Sequence, residues 1–168
     1  MKLSVIALLM VSSALMAQPP SRGARLAPPK LVRLKPLSKA EIDQAKAVAR
    51  SPGPLITGTH RALPAKSAGA WRKLPDGRFV WLMMIESTGA KALRLHFDSF
   101  DVADGRVWIH AGEEVRGPYT EKGPLKDGEF WSDIISSAKV TVEFAPARGG
   151  GPGSPPFRVV SIAHQFAE

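Results

Sequence analysis

Residues 79–87 read FVWLMMIES, and neither parity of this stretch is polar until its end. A strand covered on one face alternates apolar and polar positions. Here Phe79, Trp81, Met83 and Ile85 hold one parity, and Val80, Leu82 and Met84 hold the other. One parity is expected to face a core between two sheets. The other also needs cover, and the N-terminal helix and connector are the nearest candidates. The expectation is therefore that the N-terminal arm packs partly on the outside of the sheet, a second domain being the alternative.

From Gly69 onward, apolar runs recur at 71–74, 78–86, 93–100, 106–110, 114–119, 130–135, 140–144 and 157–166, separated by Gly, Asp and Pro. Short strands at a spacing of about 8–12 residues predict an all-β domain, a sandwich or barrel, over 69–168. LRLHFD alternates, with Leu93, Leu95 and Phe97 inward and Arg94, His96 and Asp98 outward. VTVEF likewise places Val140, Val142 and Phe144 inward and Thr141 and Glu143 outward. PDG at 75–77 and ADG at 103–105 supply turns whose glycine tolerates positive φ. RGGGPGSPP at 148–156 reads as a flexible loop. It is no phosphate cradle, because no lysine or serine/threonine follows at P-loop spacing.

Residues 18–68 differ. The Pro-rich, basic stretch 18–37 predicts a linker, or an arm that orders only against a partner. Ser38 with Glu41 three residues on is a capping box, and it predicts one helix over about 39–50. LITGTHRALP at 55–64 reads as an extended connector.

The first residues, MKLSVIALLMVSSALMA, have the order of a secretory signal peptide: Lys2, an apolar run over 3–11, then small residues. Cleavage is expected after Ala17, with Ala14 the alternative. The apolar run falls short of the roughly 20 residues that span a bilayer, and no later segment is long enough, so no transmembrane segment is expected. Export places the protein outside the cell or in the periplasm. With no cysteine among 168 residues, neither disulfides nor thiolate chemistry are available. The net charge of +8 belongs to the N-terminal segment, where residues 1–70 oppose eleven Lys and Arg to Glu41 and Asp43 alone. A basic arm suits an anionic surface or an acidic partner. Nucleic acid is not expected as a partner, because of export and because the arm lacks aromatic residues to stack on bases.

Candidate chemistry is sparse. No serine sits in a Gly-x-Ser-x-Gly elbow or a Gly-Asp-Ser-Gly context, and His60, the imaginable base, lies in the connector. No catalytic residue and no cofactor is predicted. The candidate metal ligands are His96 and His110, on strands able to pair, but a stable site wants a third or fourth ligand. The alternative is two solvated histidines. DVADGRV at 101–107 lacks the calcium-loop pattern. Trp71, Trp81, Trp108 and Trp131, with Tyr119, are many aromatics for a small domain. Trp81 is expected in the core. Trp108, Tyr119 and Trp131 form the candidate binding surface, since parity points Trp108 away from Val107 and Ile109 and puts one of Phe130 and Trp131 outward.

Taken together, GAWRKLPDGRFVWLMMIESTGAKALRLHFDSFDV, EEVRGPYTEKGPLKDGEFWSDII and VTVEF resemble the non-catalytic N-terminal region of bacterial secreted trypsin-like serine proteases of the lysyl endopeptidase type. Trp71, Leu74, Asp76, Gly77, Trp81, Ser87, Gly89, Leu93, Phe97, Gly117, Tyr119, Gly128, Trp131 and Glu143 are among the residues that carry the resemblance, which spans roughly 36–166. Ser137, Ala138 and Lys139 depart from it, standing where the family has a Gly-Asp-like turn. The resemblance implies a jelly-roll-like β-sandwich with a pro-region or accessory role, no triad of its own, and a protein partner such as a trypsin-like protease domain. Two alternatives accompany it: a module binding cell-wall polymer or polysaccharide through its aromatics, and the N-terminal part of a full protease.

Overall fold

A computed structural model describes residues 18–49, 58–64, 69–147 and 150–166. The expected signal peptide, with its cleavage site at Ala17, lies outside the described residues. Over the described residues the protein is mostly β, with one helix and two sheets. In chain order the elements are β1 (Leu31–Leu34), α1 (Lys39–Ala49), β2 (Gly58–Ala62), β3 (Ala70–Lys73), β4 (Phe79–Ser87) and β5 (Ala92–Asp98). They continue with β6 (Arg106–Ala111), β7 (Glu114–Tyr119), β8 (Phe130–Trp131), β9 (Lys139–Ala145) and β10 (Arg158–Gln165).

The first sheet runs β1-β4-β9-β6-β7, with β3 also paired to β4. The second runs β2-β10-β5-β8. All eight anticipated strands have counterparts. Two more, β1 and β2, fall in the segments read as arm and connector. Neither LVRL nor GTHRA carries a strong alternation, and each gains strand geometry by adding to an edge. β1 pairs in parallel with β4, Leu31 opposite Met84, while β2 pairs antiparallel with β10, His60 opposite Ala163. The first sheet is therefore not wholly antiparallel. The expected boundary near residue 69 is crossed twice, because the segment before it supplies one strand to each sheet.

Between those strands α1 begins where the capping box predicts. The Ser38 N–H and hydroxyl both donate to Glu41 Oε2 at 2.7 Å. These hydrogen bonds hold the Glu41 carboxyl below its ordinary range. The helix ends at Ala49.

The inward parities of both sheets share one apolar core. Trp81, Met83 and Ile85 of β4 meet Leu93, Leu95 and Phe97 of β5, Val107 and Ile109 of β6, Val140, Val142 and Phe144 of β9 and Ile162 of β10. Phe97 stacks on Phe130 with centroids 5.0 Å apart, and Phe100 and Phe157 meet it edge-on. Of the Phe130–Trp131 pair, Phe130 is thus the inward residue. The turns hold one surprise. Gly77 has φ of 88°, as PDG predicts, but in ADG the left-handed residue is Ala103. Gly105 serves another purpose: a Cβ there would lie 2.7 Å from the Phe144 ring and 2.8 Å from the Val102 carbonyl.

β4 is buried on both faces, as its sequence requires. Val80 and Leu82 point away from the main core and form a second cluster with Leu74, against which Ala24 and Leu26 pack. The cover comes from residues 18–30, not from the helix. The stretch read as a linker, or as an arm awaiting a partner, lies on its own domain. Fully burying a side chain such as Val80 or Leu82 contributes about 1.5–3 kcal/mol, reason enough for the arm to settle there.

Candidate functional site

Two sheets sharing a core leave two outward faces. On the first sheet the arm occupies that face. Glu143 of β9 points out as predicted yet is 0% exposed. Its Oε1 accepts the Ser21 N–H at 2.7 Å, its Oε2 interacts with the Ser21 hydroxyl, and His110 Nε2 stands 3.2 Å from Oε2. An uncompensated charge there would be costly, and these partners replace the water it has lost. Arg22 bonds the Gly112 carbonyl and Glu113, each at 2.9 Å, and Arg72 donates to the carbonyls of Ala27 and Pro28. Trp108 does point away from Val107 and Ile109, but it is 2% exposed. It is therefore no surface platform, which corrects the expectation for that residue.

The second sheet's outward face carries Trp131 on β8. Its indole stacks on His96 of β5, with centroids 4.7 Å apart and planes 10° apart, and it meets His60 of β2 at 4.7 Å and 35°. β10 lies between β2 and β5, and opposite His60 and His96 it places the small Ala163 and Ser161. Such small side chains give the indole room to reach across. Beside Trp131 an open groove of about 610 Å³ is lined by Tyr119, Pro124, Leu125, Asp127, Glu129 and Asp133, among others. Tyr119 is buried, and its hydroxyl donates to Asp133 Oδ2 at 3.2 Å while accepting the Asp133 N–H at 2.9 Å. Burial pushes its ionisation far above the ordinary phenol range. Tyr119 contributes a wall of the groove, not an exposed ring. Of the three candidate surface residues, only Trp131 presents its ring outward.

The large apolar side chains left exposed among the described residues are Leu125 and Ile134. Leu125 is in the groove wall, and Ile134 follows β8 by three residues. Nothing in the sequence singled them out: Leu125 sits among Gly, Pro, Lys and Asp in what reads as connecting loop, and Ile134 falls in the apolar run 130–135, of which only Phe130–Trp131 is strand. The loop holding Leu125 is well braced. Gly128 N–H donates to the Lys122 carbonyl, Phe100 N–H to that of Gly128, and Val102 N–H to that of Glu121.

Two serine–histidine contacts occur among the described residues. Ser87 of β4 and His164 of β10 join the two sheets: the Ser87 hydroxyl contacts His164 Nδ1 at 2.8 Å and accepts from Arg61 Nη1 at 2.8 Å. Arg61 can only donate, so the Ser87 hydroxyl keeps its own proton and a second lone pair for the contact with Nδ1. Burial, then the Arg61 charge, lower the His164 pKa. The third partner is a cation where a hydrolytic triad has an acid, and both residues are buried. The arrangement is a polar lock between sheets. Neither Ser87 nor His164 carried a sequence signal, since their partners lie far along the chain.

The second contact is more open. Ser161 Oγ lies 3.4 Å from His96 Nδ1, and His96 Nε2 lies 2.9 Å from Glu129 Oε1. The order is serine, histidine, acid, but the serine distance exceeds the roughly 2.6–3.2 Å of a working nucleophile–base pair. Ser161 also lies on an internal strand paired on both sides, to Ala62 and His96. The ladder is irregular between Val159 and Ser161, where the Val160 carbonyl accepts the Leu63 N–H at 2.9 Å.

His96 and His110 are not brought together. One lies on the second sheet beside Trp131, the other on the first sheet beside Glu143. Among the described residues no group of three or more possible ligands converges. No helix among them is long and apolar enough to cross a membrane. Comparison of the chain with protein-family models, curated proteins and solved structures gives no match.

Proposed function

We propose that the protein is an exported, non-catalytic β-sandwich of jelly-roll type, an accessory or pro-region-like partner of a trypsin-like serine endopeptidase that acts by binding protein. The observation that carries the binding role is the inequality of the two outward faces. One is sealed by the chain's own arm, while the other presents Trp131, and exposed Leu125 and Ile134 lie beside it in the chain and the groove. Protein interfaces enrich aromatic side chains at a desolvated centre. The choice of a trypsin-like protease as partner rests on the sequence resemblance. A polysaccharide platform is the less favoured reading, because the Trp131 indole already spends ring surface on His96 and His60.

The test is light scattering on the purified protein mixed with the catalytic domain of a secreted lysyl endopeptidase. The expected result is a stoichiometric complex that is lost when Leu125 and Ile134 are both replaced by Asp. Leu125 is 72% and Ile134 40% exposed, so these changes leave the core intact. A control Arg106→Glu change on the exposed rim of the first sheet leaves the complex unchanged. Absence of a complex, or one indifferent to the double substitution, overturns the proposal.

A further inference from the structure

We infer that the groove beside Trp131 receives a lysine or arginine side chain of the bound protein. The inference rests on the reading of this face as the docking face and adds the chemistry of its occupant. The groove is apolar along its walls, from Tyr119, Leu125 and Trp131, and three exposed carboxylates, Asp127, Glu129 and Asp133, edge it. A long aliphatic stem ending in a cation matches both features at once, because such side chains lay their methylenes along apolar surface and keep the charge at the rim. The Trp131 indole, whose ring surface is engaged by His96 and His60, contributes apolar wall for the stem.

The carboxylates are positioned but not saturated. Asp127 Oδ1 accepts the Glu129 N–H at 3.1 Å, Glu129 Oε1 contacts His96, and Asp133 Oδ2 takes the Tyr119 hydroxyl. An ionised carboxylate has about four acceptor sites, so each keeps capacity for a charged donor. The cations nearby leave the edge acidic. Arg94 lines the groove with its Nε on the Ser132 carbonyl and sets one positive charge against the three carboxylates, while Lys126 pairs with Glu121 at 3.9 Å. The braced 120–129 loop holds Leu125 and Asp127 in place before any ligand arrives, which lowers the ordering cost of binding. The acidic edge also accords with the weak negative balance of residues 71–168, in contrast to the basic N-terminal segment.

The experiment is calorimetric titration of the purified protein with a short Gly/Lys pentapeptide, the same peptide with acetylated lysines, and a soluble glucan. Binding of the lysine peptide is expected, weakening steeply with salt and falling about tenfold or more on acetylation, since acetylation removes the charge that the carboxylates attract. Glu129→Gln combined with Asp127→Asn should weaken it to a similar degree, and Trp131→Phe, which keeps an aromatic wall, less than Trp131→Leu. Equal binding of the acetylated peptide, no peptide binding, or preferential binding of the glucan overturns the inference. If the protease complex still forms and depends on Leu125 and Ile134 while Glu129→Gln/Asp127→Asn leaves it unchanged, the docking face stands and this inference falls. If no complex forms at all, both fall.

Discussion

Removing one hydroxyl should free the arm. Ser21→Ala deletes the Oγ contact to Glu143 and keeps the backbone N–H bond at 2.7 Å. A hydrogen bond to a charged group contributes about 1.5–3 kcal/mol. Ser21 is only half-buried, so the lower part of that range, about 1.5–2 kcal/mol, is the appropriate figure. The loss does not pass wholly into global stability, because the arm can lift while both sheets stay folded, and local opening is governed by its own free energy. At about 1.4 kcal/mol per factor of ten, the open population should rise roughly 13- to 30-fold. Arg25 reports it. Its side chain is exposed between half-buried Ala24 and Leu26, whereas Arg22 is tied to Gly112 and Glu113. Tryptic cleavage after Arg25, followed by mass spectrometry under conditions where opening is faster than cutting, should accelerate by that factor. Leu26→Asp, which buries a charge against Val80 and Leu82, should accelerate it further. A change below twofold in Ser21→Ala, with Leu26→Asp behaving as expected, would show that the Glu143 carboxylate is satisfied without the hydroxyl and refute the reasoning.

Three more outcomes are expected. Because the native His164 pKa is lowered, the neutral ring is favoured in the fold. Its contribution is therefore present above the unfolded value of about 6.5 and is lost as pH falls toward the native pKa, so urea midpoints should decline from pH 7.5 to 5 and do so less in His164→Asn. Gly105→Ala should destabilise by about 1–3 kcal/mol in urea denaturation, since the Phe144 ring and the Val102 carbonyl leave no room for a methyl group. Purified protein should show no turnover of peptide substrates cut after lysine or arginine, and Ser161→Ala should leave that baseline unmoved; activity abolished by this change would make the Ser161–His96–Glu129 line a working triad.

Periodicity carried the two-sheet body. The alternation in LRLHFD and VTVEF set the inward faces correctly, and the unbroken apolar run of β4 demanded cover on its outer side. Local pattern says where a side chain points but not what lies above it. Trp108 and Glu143 point outward and are nonetheless buried, and the arm residue that meets Glu143, Ser21, is 122 residues away in the chain. β1 and β2 escaped for a related reason: four or five residues without marked alternation become strands only through the edges they join. The Ser87–His164–Arg61 lock was invisible because three unremarkable residues on β4, β10 and β2 meet only in space. Trp131 was legible as one of two alternatives, and the core position of Phe130 resolved it.

The Ser21–Glu143 contact also sets a chronology. The arm is synthesised before β4, β6 and β9, yet its seat needs all three, the last of which ends at Ala145. Joining ends so distant carries a loop-closure penalty that only an already assembled receiver can offset. The arm should thus find its place only once β9 has joined the sheet, staying unfurled while the strands that receive it assemble.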